Sequence, residues 1–202
     1  YSVESETNAT INESGTEADP FLITNVTELQ DISMNRTASY ALANDIDASE
    51  TSSWNGGKGF VPIENFAGSL DGQGYTIDSL YIDRTDESNI GIFKTITGTS
   101  WIKDLSMENA DITGNSSVGA LVGRNIGEIE NCGLNGVING NNTVGGLVGI
   151  NRGSILDSYS TGTVNGENVV GGLIGLNENT TEYSSSSATV NGNRYVGGLV
   201  GH

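Results

Sequence analysis

The chain has 202 residues with 29 Gly, only 2 Pro and 35% apolar side chains, which is too thin for a thick globular core and excludes a collagen-like chain. Its 25 acids against 8 bases give a formal charge of −17, so no basic stripe exists to track a phosphate backbone or an anionic membrane surface. A narrow apolar strip with many tight corners suits these numbers, and that is the composition of a solenoid.

Residues 1–18 carry four Glu and no base, and they read as a disordered or extended acidic tail. Residues 19–100 read as a cap followed by irregular β coils. Thr27-x-x-Gln30 opens TELQDIS as a capping box for one short helix, the candidate cover for the open end of the solenoid. FAGSLDGQGYTIDSLYI and IGIFKTI then alternate apolar and polar residues around Asp-Gly and Gln-Gly turn signals. No run approaches the roughly 18 apolar residues of a membrane helix, so no direct membrane insertion is expected in this segment. There is no signal peptide either; for a secreted protein, Tyr1 falls at or after the processed N-terminus.

Residues 101–202 repeat. Val118, Val144, Val170 and Val196 open VGALVGRN, VGGLVGIN, VGGLIGLN and VGGLVGH at a constant step of 26 residues. Ile112, Ile138, Val164 and Val190 keep the same step, each followed by Gly114, Gly140, Gly166 or Gly192. Ile129, Ile155 and Thr181 form a third column in phase. A short period with β-branched residues and no helical spacing predicts short strands wound into coils, so that identical residues stack about 4.8 Å apart. The Gly pairs are expected to supply positive φ and close backbone approach at corners. Asn125, Asn151 and Asn177 are expected to stack as an amide ladder, with a ligand site as the rival reading. IKDLSMENADITG (residues 102–114) is a coil variant with one extra residue. Cys132, the one cysteine, takes the position of Ser158 in the next coil and reads as a buried core residue.

The VGGLVGxN coils resemble the Gly-Leu-Gly (GLUG) repeat of bacterial and archaeal surface proteins, which also occurs in the non-catalytic region of some immunoglobulin A peptidases. PFLITNVTELQDIS, YALANDIDAS, FVPI and the two segments after them are similar to the stretch that commonly precedes those repeats. The resemblance spans about residues 20–202. It implies an all-β, right-handed parallel β-helix on an extracellular, cell-surface protein, and it implies no particular ligand.

Chemistry is scarce in the sequence. Glycoside hydrolysis needs two carboxylates facing each other, and elimination also needs a base, whereas the acids here lie in turn contexts. One His, His202, and one Cys cannot assemble a zinc site. Calcium takes oxygen ligands without a strict motif, and Asp45, Asp47 and Asp71 are its candidate ligands; the competing reading is that these acids cap turns. Of seven N-x-Ser/Thr sequons, Asn115, Asn141, Asn179, Asn25 and Asn35 are the glycosylation candidates. Asn8 and Asn12 complete the set.

The expectation is a non-enzymatic structural protein of a surface layer, sheath or filament. Its expected partners are copies of itself or further coils beyond His202, since the last coil ends on a full-strength strand. The alternatives are an adhesin stalk or glycan-binding module, for which Tyr159, Tyr183 and Tyr195 are the few aromatics in the coils, and then a polysaccharide lyase or hydrolase.

Overall fold

A computed structural model describes residues 13–202 and winds them into a parallel β-solenoid of about six turns of roughly 26 residues. Each regular coil contributes to three faces. The first face stacks Phe21–Ile23, Ser39–Leu42, Ser69–Asp71, Trp101–Lys103, Glu128–Glu130, Ser154–Leu156 and Thr181–Glu182, every neighbour parallel. The second carries the long strands Ser106–Val118, Gly133–Asn139 and Tyr159–Asn165. The third stacks Phe93–Ile96, Val122–Asn125, Val148–Asn151 and Ile174–Asn177.

The repeat columns of the sequence are the register of these sheets. Val144 pairs with Val118 and Val170, Ile138 with Ile112 and Val164, and Ile155 with Ile129 and Thr181. All but Thr181 are buried, so apolar ladders from the first and second faces line the axis. The extra residue of the 102–114 coil is absorbed as a bulge: the register shifts between Leu134 and Gly136, and Asn109 adopts a left-handed φ of 52°. Upstream the coils are longer, as the partner series Tyr40, Leu70, Ile102 and Ile129 shows. Aromatics fill their wider interior, with Phe66 and Phe93 stacked 4.6 Å apart and both fully buried.

Glycines of the VGGLVG motif, Gly198 apart, meet the expected close backbone approach but not the expected positive φ. None of the motif glycines is left-handed. A Cβ on Gly145 would lie 2.5 Å from the Gly175 nitrogen, and one on Gly149 would lie 2.5 Å from the Ser117 carbonyl carbon. Backbones of adjacent turns touch here, and any side chain would force them apart.

The expected helix forms over Val26–Asp31, but its cap lies two residues earlier than Thr27. Asn25 is the N-cap: its Oδ1 accepts from the Glu28 N–H at 3.0 Å, while the Glu28 carboxylate accepts from Thr24 N at 2.7 Å. Burial raises the Glu28 pKa, but these hydrogen bonds outweigh it and leave the group below its ordinary value. Val26, Leu29 and Ile32 are buried in the common core beside Phe21–Ile23, the outermost strand of the first face. Residues 1–12 of the acidic tail, with Asn8 and Asn12, lie outside the described residues. Residues 13–18 form a turn held to the solenoid: Gly15 O accepts from Ser39 N at 2.8 Å, and Glu17 accepts from the Trp101 indole at 3.3 Å.

Candidate functional site

Stacking places like side chains next to each other, and asparagine amides bond along the stack. Asn125 and Asn151 are fully buried. Asn125 Nδ2 donates to Asn151 Oδ1 at 2.8 Å, and Asn151 Nδ2 donates to Asn177 Oδ1 at 2.7 Å. The same amides reach the Ser154 and Thr180 carbonyls. The ladder starts at Asn125 because its partner one turn earlier is Ile96, which leaves Asn125 Oδ1 without a partner among the described residues. A second amide ladder, Asn139, Asn165 and Asn191, which the sequence reading missed, runs along the edge of the second face at 2.8 Å per step. Its signal was the Asn before Gly140, Gly166 and Gly192 of the second column.

The calcium candidates do not converge. Asp45 and Asp47 line one shallow depression with Asp78 and Glu108, whereas Asp71 lines another with Gln73 and Lys103. Asp71 is already occupied: its Oδ2 lies 3.1 Å from Lys103 Nζ, and its Oδ1 accepts from Gln73 N at 2.9 Å. Asp45 accepts from Thr76 N, and Asp47 from Ser49 N, each at 2.9 Å. Hydrogen bonding from Ser49 holds the Asp47 carboxyl below its usual range. Among the described residues no three His, Cys, Asp or Glu side chains gather as a metal cage. The neighbouring acids also take amide donors, Asp78 from Asn109 at 2.7 Å and Glu108 from Asn135 at 2.8 Å.

The sequon asparagines among the described residues lie at the surface or near it. Asn25 is the exposed helix cap, and the exposed Asn35 accepts from Thr37 Oγ1. Asn115 and Asn141 stack on successive coils as predicted, with Asn141 Nδ2 donating to Asn115 Oδ1 at 3.0 Å. Asn179 is exposed and donates to the Arg152 carbonyl at 2.9 Å.

One feature does not repeat. Ser49–Gly57 leaves the coil path just after the short strand Ile46–Asp47, which pairs with Thr76–Asp78 at the start of the second-face stack, and with the helix it walls an open groove. Trp54, Val61 and Pro62 supply its apolar surface, and Arg36, Glu64 and Lys94 its charge. The sequence signal for it was Trp54-Asn55-Gly56-Gly57, a cluster that fits none of the repeat columns.

Residues 140–165 match the family model described as the GLUG motif. That segment carries the GLUG motif. It is 39% identical over 138 residues to halomucin of Haloquadratum walsbyi, a match covering 61% of this chain and 2% of that protein. It is 33% identical over 126 residues to a protein of Evansella cellulosilytica named as a Gly-rich membrane protein, covering 58% of this chain and 14% of that one. The chain thus spans a small fraction of the curated relatives it matches. A crystal structure of a Bacteroides ovatus protein named for immunoglobulin A1 protease superimposes with a TM-score of 0.62 over 90% of this chain and 76% of its own, at 16% identity. At that identity the likeness shows the fold alone.

Proposed function

We propose that this GLUG solenoid is a non-enzymatic, rigid structural element of a cell-surface protein. The observation that carries the proposal is the use of polar side chains for coil-to-coil bonds: both amide ladders and the Arg152–Glu178 ion pair join successive turns. Such bonds stiffen a rod and leave few groups for catalysis. Similarity to halomucin and to a Gly-rich membrane protein supports the surface location. Cys132 supplies no nucleophile, since burial pushes its thiol up to about 12.

Antibody labelling of intact source cells should decorate the outer surface. The purified chain, incubated with immunoglobulin A1 and with uronate polymers, should leave both uncut. Internal labelling only, or reproducible cleavage of either substrate, overturns the reading.

A further inference from the structure

The groove beside the helix has the make-up of a binding site, and nothing in the stacking logic of the coils calls for it. Its apolar floor is exposed: Val61 is 41% accessible, and the partly buried Trp54 joins it. Isolated apolar residues need no explanation, but an indole, a Val and a Pro lining one concavity beside convergent polar groups do.

The walls are fixed in advance. The Gln30 amide clamps the Val61 backbone from both ends, donating to its carbonyl at 3.0 Å and accepting from its N–H at 2.8 Å. Arg36 Nη1 donates to the Glu64 carbonyl at 3.0 Å, which ties its guanidinium to the same segment. Trp54 is set by a reversal in which Asn55, Gly56 and Gly57 all have positive φ, of 54°, 67° and 87°. Asn55 Nδ2 holds that reversal by donating to Gly59 O at 2.7 Å. A left-handed Asn carries strain that surrounding structure must hold in place.

Charge selects the ligand class. Lys94 lies 3.0 Å from Glu64 and 3.7 Å from Glu87, so its charge is compensated. The Lys94 hydrogen bond and charge, with Arg36 adding to them, hold the Glu64 carboxyl below its usual range. Arg36 has no carboxylate partner among the described residues. One guanidinium that forms no salt bridge, in a chain of charge −17, fits a single carboxylate and disfavours a polyanion. A pyranose supplies the rest, with an apolar C–H face to pack on indole and hydroxyls for the polar rim. We propose that the groove of Arg36, Trp54 and Val61 binds a uronic-acid-bearing saccharide, with Arg36 on the carboxylate and Trp54 against the ring.

The test uses the full chain with Trp101→Phe, which leaves Trp54 as the sole tryptophan, since the chain has two. Glucuronic acid and cellobiouronic acid are titrated against its fluorescence, with glucose and cellobiose as neutral matches. Trp54 emission should shift with the acidic sugars and change far less with the neutral ones. Arg36→Gln, an exposed change that leaves the circular dichroism spectrum intact, should weaken calorimetric affinity about tenfold. Lys58→Gln, a change outside the groove lining, should leave that affinity unaltered. No response to either uronate, equal response to the neutral pair, or unaltered binding in Arg36→Gln overturns the proposal. None of these outcomes bears on the structural role of the coils.

Discussion

At position 132 a thiol fills the corner that serines fill in the next two coils. Cys132 Sγ lies 3.2 Å from the Glu130 carbonyl, while the Ser158 and Ser184 hydroxyls donate to Leu156 and Glu182 at 2.8 and 2.9 Å. Burial raises the Cys132 pKa from 9.0 to about 12. The folded chain therefore keeps the proton to higher pH than the unfolded chain does. The resulting stability is complete below pH 9.0 and is lost as pH rises toward about 12. Cys132→Ser should cost no more than about 1 kcal/mol near neutrality, because the hydroxyl inherits the carbonyl bond. Melting curves between pH 8 and 11 should fall less steeply for Cys132→Ser than for the parent chain. Equal slopes would show that the thiol titrates as if exposed. The period alone made this environment legible, because Ser158 stands one step after Cys132.

Within one coil, alternation decides which side chains matter. Leu147 is fully buried between Leu121 and Leu173, whereas Val137 in the same turn is 42% exposed on the outer side of its strand. Leu147→Asp puts an unpaired charge into an apolar column and should cost at least about 4 kcal/mol, or prevent folding. Val137→Asp should change stability by no more than about 0.5 kcal/mol. Urea titrations of the two variants check the pair, and similar losses in both would mean that the two positions do not differ in burial. Sequence phase predicts this contrast because each column repeats its environment. Where the columns fail, so did the reading. The Thr27-x-x-Gln30 pattern points to a cap two residues late, because the cap rests on Asn25 Oδ1 and on the reach of Glu28 back to Thr24. At the motif glycines the expected close backbone approach holds while the expected positive φ does not, because the crowding comes from a strand one turn away and not from a local reversal. The groove at Trp54 went unread because a segment used once leaves no periodic trace.

Over the whole molecule the unbalanced charge acts against the stacking that builds it. Asp47, Asp78 and Glu108 are direct register partners on successive strands of the second face, so three carboxylates stand in one column about 4.8 Å apart per step. Like charges directly opposite each other destabilise a sheet. Nearby, burial raises the Asp111 pKa above its ordinary value, and the Asp83 charge adds to the shift. Because its folded pKa is raised, ionised Asp111 weakens the fold at neutral pH, and that penalty is relieved as pH falls through the folded value. Salt should relieve the column in the same direction without protonation. Between about 0.01 and 0.1 M salt the screening length falls from about 30 Å to about 10 Å, so repulsion summed over the −17 chain weakens while apolar burial barely changes. The melting temperature should therefore rise with NaCl across that range. Asp78→Asn removes the middle charge of the column and keeps an acceptor for the Asn109 amide, so it should raise the low-salt melting temperature and flatten its salt dependence. A melting temperature that falls with salt, or an Asp78→Asn curve parallel to the parent's, would show that amide donors such as Asn109 and Asn135 already neutralise the column.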